Sequence, residues 1–123
     1  MGFFQNIGTE NEVRKLISRV SPNGFGAGWR MPSLSEMGQT YPSAQRFRQQ
    51  GQEAGWRSRD IAVGIVVGIY FDIRARAEAS GDQAALAASI DLFKGIMDAV
   101  HRNSEWYSQE NFRTVLHWTQ KLK

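Results

Sequence analysis

Residues 61–73, IAVGIVVGIYFDI, decide the fold, because the stretch reads in two ways. Its first eleven residues carry no charge, and the abundance of isoleucine and valine suits a buried strand. Length argues against that reading, since a buried strand ends within about 4–8 residues. Here the periodic pattern runs on through Asp72, Arg74, Arg76 and Glu78 with alanines between. Asp72–Arg76 and Arg74–Glu78 have the i,i+4 spacing of helical ion pairs. The stretch is therefore expected to be the buried first half of a helix over about 58–79, capped by Ser58 or Asp60 and ended by Ser80-Gly81. An uncharged run of eleven falls short of the ~20 residues that span a bilayer. Gly64 and Gly68 are accordingly read as the place where a neighbouring helix comes close within a core, not as a membrane dimerisation motif.

Helical signals continue on both sides. Downstream, Asp82 can cap a helix over about 82–101, in which Leu86, Ile90, Phe93, Met97 and Val100 repeat at 4-3-4-3 and Leu92, Ile96 and Ala99 widen the seam. Asn103-Ser104 breaks the chain, and Ser104 can cap a last helix over about 105–121 with Phe112, Val115, Leu116, Thr119 and Leu122 facing inward. Upstream, Thr9-Glu10-Asn11-Glu12 has the form of a capping box. It is expected to open a helix over about 9–20 with Val13, Leu16, Ile17 and Val20 on one face and Arg14, Lys15 and Arg19 on the other. Ser21-Pro22-Asn23-Gly24 stops it. Pro42 suits the first position of a helix over about 43–54, whose apolar stripe is Tyr41, Ala44, Phe47 and Ala54. The expected fold is all-α: one compact bundle of four to five helices formed by residues 1–123.

Between the first two of these helices lies SPNGFGAGWRMPSLSEMGQTYP, residues 21–42, with all three prolines and the large side chains of Phe25, Trp29, Met31 and Tyr41. Loops longer than about 12–15 residues are uncommon in a compact domain and are usually functional or disordered. A disordered linker would be poor in aromatics, and this one is not. The expectation is a recognition surface, with a lid that closes the core as its rival. Ser33-Leu34-Ser35-Glu36 can start one helical turn inside it, ended by Gly38.

The charge map adds to this. Net charge is only +3, yet residues 13–59 hold eight basic groups against two acidic ones, while residues 60–110 hold eight acidic against four basic. Such asymmetry concerns partners more than fold. Cysteine is absent, which removes disulfides and thiolate chemistry and suits a reducing compartment. The first twelve residues lack the basic and apolar regions of a secretory signal, so a soluble, cytoplasmic protein is expected. Gly24-Phe25-Gly26-Ala27-Gly28 follows a helix and lacks the lysine of a phosphate-binding loop. Asp98, His101 and Glu105 could share a helix face, but Asn103-Ser104 is expected to break the helix between them. No serine stands in a Gly-x-Ser-x-Gly elbow. No cofactor, metal or catalytic residue is therefore assigned.

The resulting expectation is a small non-enzymatic protein-binding module of the inhibitor, immunity or secretion/assembly adaptor type. Phe25, Trp29, Met31 and Tyr41 would supply anchors, and Arg30, Arg46, Arg57 and Arg59 would steer an acidic protein partner. A nucleic acid held by the basic 13–59 half is the alternative, with arginines on phosphates and Trp56 or Phe47 under bases. A small helical enzyme is the third reading. The widened seam and the paired glycines could be satisfied within one chain or across a homo-oligomer, with self-association the favoured outcome.

Overall fold

The computed structural model describes the backbone of residues 2–20, Phe25 and residues 29–122, and their side chains from Gly8 onward. Six α-helices follow in order: α1 (Gly2–Val20), α2 (Leu34–Thr40), α3 (Pro42–Glu53), α4 (Ser58–Ser80), α5 (Gln83–Arg102) and α6 (Gln109–Lys121). No strand occurs among the described residues. The all-α class agrees with the sequence, but the count exceeds the expected four to five because the turn at 34–36 continues into a separate helix. Ser33 caps it, accepting from the Glu36 amide and donating to the Glu36 carboxylate, and Met37 is fully buried. The expected stop at Ser21–Gly24 and the glycines at 24, 26 and 28 lie outside the described residues. No helix among the described residues is long and apolar enough to cross a membrane.

Helix α4 is the axis of the fold. Every residue from Asp60 to Tyr70 is buried, and the helix packs against α1, α3, α5 and α6. Its glycine pair does what the spacing predicts. A Cβ on Gly68 would lie 2.5 Å from Ala44 Cα, so α3 crosses here backbone against backbone. Gly64 is roomier, its added Cβ 3.5 Å from Phe47 Cβ. Arg74 and Glu78 form the expected pair at 2.9 Å. Asp72, expected to pair with Arg76, turns to α3 instead: its oxygens accept from the Ser43 amide at 2.8 Å and the Ser43 hydroxyl at 2.7 Å. Tyr41 offers no side-chain cap to α3, so this carboxylate from a neighbouring helix takes that role.

Three further expectations need correction. Helix α1 begins at Gly2, not at Thr9, which lies inside the helix with its side chain fully buried and Oγ1 unpartnered. Glu12, expected to reach back to Thr9, accepts instead from Trp106 Nε1 at 3.1 Å. On α5 the widening residues Leu92, Ile96 and Ala99 are buried as expected, together with Val100 and Ser89, but this arc is centred about a quarter turn from the 86/90/93/97/100 line, and Ile90 is 42% exposed. The reason is α1: its Val20 packs at Gly95, so α5 must bury towards α1 as well as α4. Phe93 stays at the margin, stacked on Tyr70 at 4.8 Å. Finally, α6 starts at Gln109 with Ser108 as its cap, so residues 103–107 form a turn and not the helix start expected at Ser104.

The far end of the α4–α5 hairpin is mostly exposed. From residue 75 to 91 only Ala77 and Ser89 are buried, and Gly81 makes the turn at φ +71°. At the opposite margin Trp118 of α6 meets Trp56 at 5.0 Å and Phe47 at 5.6 Å, closing the bundle over α3.

The two glycines predict opposite outcomes. Gly68→Ala forces α3 away, and overpacking of about 1–3 kcal/mol exceeds the ~1 kcal/mol gain in helix propensity. Gly64→Ala makes an ordinary contact and keeps the gain. Urea unfolding should show Gly68→Ala less stable than wild type and Gly64→Ala at least as stable.

Candidate functional site

The residues expected to form one surface fall into two groups on α4. At its C-terminal half, Phe25 stacks on Trp29 with ring centres 4.4 Å apart, and Trp29 Nε1 donates to the Tyr41 hydroxyl at 3.0 Å. Tyr41 is itself buried, while Arg76 covers its ring at 4.9 Å and donates to the Thr40 carbonyl. Phe25, Trp29 and Met31 are partly buried against the core; Arg30 and Arg46 are exposed. Tyr41 thus supports Trp29 from beneath and presents little surface of its own.

The second group lies around the other end of α4, about 25 Å along the helix from Arg76. The Arg59 guanidinium lies 3.6 Å from the centre of the Trp106 ring, the Lys15 ammonium 4.6 Å and the Arg19 guanidinium 6.0 Å. Arg19 also donates to the Tyr107 hydroxyl at 3.1 Å, and Arg59 to the Trp106 carbonyl at 3.4 Å. The Trp106 indole N–H donates to the Glu12 carboxylate, which also meets Lys15 at 3.6 Å. Arg19 and Arg59 have no carboxylate within ion-pair distance among the described residues. Each cation–π contact at such a half-exposed site is worth about 0.5–1 kcal/mol.

The turn that carries Trp106 is held rigidly. Buried Asp60 accepts from the Ser108 amide at 2.9 Å and from Asn111 Nδ2 at 3.3 Å, with Arg57 3.7 Å away. The amides of Trp106 and Tyr107 both donate to the Asn103 carbonyl. Tyr107 is 1% exposed, so the phenol anchors the turn while Trp106 stays at the surface. Burial raises the Tyr107 pKa above the ordinary tyrosine value, opposed by the charge and hydrogen bond of Arg19.

Of the expected residues, Arg59 belongs to this cluster and Arg57 borders it through Asp60. Lys15, Arg19, Trp106 and Tyr107 were not among them. Helical spacing placed Lys15 and Arg19 on an exposed face, but the encounter with Trp106 is tertiary and leaves no local signal. Arg48 is half-buried, bonded to Gln45 at 3.3 Å, and burial lowers its pKa. His101 meets Gln109 at 2.7 Å and Asp98 pairs with Arg102, and no three metal-capable side chains converge among the described residues. Comparison with models of protein families, with curated proteins and with solved structures finds no match.

Two outcomes follow from this geometry. Trp29→Ala removes a hydrogen bond and a ring stack and should cost about 1–2 kcal/mol in urea unfolding, whereas Arg30→Ala should leave stability unchanged. For Tyr107 the folded pKa exceeds the unfolded one, so its neutral form supports folding fully below about pH 10 and that support fades as pH rises through the folded value. Between pH 8 and 11 wild type should therefore lose stability faster than Tyr107→Phe.

Proposed function

We propose that this chain is a small non-enzymatic protein-binding module, of the inhibitor, immunity or adaptor type, that docks an acidic protein partner. One observation carries the reading: Lys15, Arg19 and Arg59 gather on Trp106, and among the described residues neither Arg19 nor Arg59 has a carboxylate within ion-pair distance. Arginine and tryptophan are the residues most enriched at binding hot spots, and a fixed turn presents them at low entropic cost. Unbalanced positive charge steers an acidic partner into place. Arg57, with its side chain 62% exposed, borders this cluster while paired with Asp60. Arg30, Met31 and Trp29 offer a second contact at the loop.

The same chemistry weakens the nucleic-acid reading. A base stacking on Trp106 would have to displace a guanidinium at 3.6 Å.

The test is affinity capture with the tagged full chain and with an Arg19→Glu/Arg59→Glu variant of matching circular dichroism, followed by rebinding of the purified components. Support requires an acidic protein that rebinds wild type, binds more weakly as salt rises, and is lost to the variant. Indifference to the charge reversal would overturn the reading, as would oligonucleotides binding more tightly than any captured protein.

A further inference from the structure

We propose that the Trp106 cluster is a receptor for a doubly charged phosphate monoester, supplied as a phosphoserine or phosphothreonine on the partner. The inference rests on the docking role and names the group that is docked. Glu12 lies within ion-pair distance of Lys15, which leaves Arg19 and Arg59 as two guanidinium charges without a carboxylate of their own among the described residues. Both are already oriented. One nitrogen of Arg19 is held by the Tyr107 hydroxyl, and one nitrogen of Arg59 by the Trp106 carbonyl. A guanidinium has five N–H donors, so each keeps others for an oxyanion. Arginine forks match phosphate oxygens, and a phosphorylated side chain brings close to two negative charges with three strong acceptors.

Charge number sets the preference. Two unmatched cations on one small surface are balanced by a dianion, not by a single carboxylate or by a phosphodiester, which carries one charge. The platform is also preformed. Asp60 fixes the turn, Tyr107 is buried beneath it, and Arg59 lies against the indole, so little order has to be created on binding. Lys15, 44% exposed, can turn its ammonium from Glu12 to a third phosphate oxygen.

The experiment uses the purified full chain and follows the Trp106 indole N–H resonance, assigned by its loss in Trp106→Phe. Inorganic phosphate and sulfate should shift it at constant ionic strength where nitrate does not. An acidic peptide bearing one phosphoserine should bind about tenfold or more tightly than the same peptide with serine. Arg19→Ala and Arg59→Ala should each abolish that advantage, while Arg113→Ala on α6 leaves it intact. Equal shifts with all three anions would overturn the proposal, as would equal binding of the two peptides. Stronger binding to phosphatidic acid vesicles than to the phosphopeptide would replace it with a lipid headgroup. If the phosphopeptide fails but Arg19→Glu/Arg59→Glu still loses the captured protein, the phosphate inference falls and the docking role stands. If the phosphopeptide binds but no protein depends on these arginines, the docking role falls alone.

Discussion

One end of the bundle depends on the near-contact of two backbones, Gly68 of α4 against Ser43 and Ala44 of α3. Helix axes normally keep 8–10 Å apart because side chains intervene, and here there is no side chain on α4 to intervene. The next residues on the same face, one turn and two turns on, are Asp72 and Arg76. Because the helices touch at Gly68, the Asp72 carboxylate falls at the uncapped start of α3, and Arg76 reaches Thr40 and the Tyr41 ring. Tyr41 in turn holds Trp29. A single missing Cβ thus organises α3, the end of α2 and the aromatic segment before it. The other end of α4 uses a different device, buried Asp60, to fix the turn that presents Trp106.

How far the sequence discloses this depends on whether a signal is local. The helical state of residues 61–73 was legible because charge pairs continued beyond any strand length. The glycine pair was legible as a close approach, and Asp82 and Gly81 as the limits of the α4–α5 turn. Thr9 misled because a capping box is a local pattern, and nothing in it reveals a helix that has already begun at Gly2. On α5 the widening residues Leu92, Ile96 and Ala99 are buried as the sequence suggests, but the 4-3-4-3 line is not the centre of the buried face, for another reason. Two apolar stripes share Val100, and only the position of Val20 against Gly95 selects between them.

The candidate site was less legible than the fold. Arg59 drew notice as part of a basic stretch, but its partner Trp106 lay in a segment read as the start of the last helix. Moving that start to Ser108 turns residues 103–107 into a presenting turn. No spacing rule links Lys15, Arg59 and Trp106, which α1, α4 and the turn before α6 bring together. The aromatic segment shows the converse. Its composition singles it out, and in the structure Phe25, Trp29 and Met31 are partly buried against the core with Tyr41 buried, while Arg30 stays exposed.

The exposed end of the α4–α5 hairpin has a consequence of its own. From residue 75 to 91 its two arms bury only Ala77 and Ser89, so separating them exposes far less apolar surface than opening the bundle. Local openings of this kind occur at a fraction of the global unfolding free energy. Amide hydrogens near Gly81 exchange through such openings, while those of Ile61–Tyr70 wait for the whole molecule to unfold. The hairpin tip is therefore the place where a tag or a whole domain can be inserted without disturbing either α3 or the Trp106 turn.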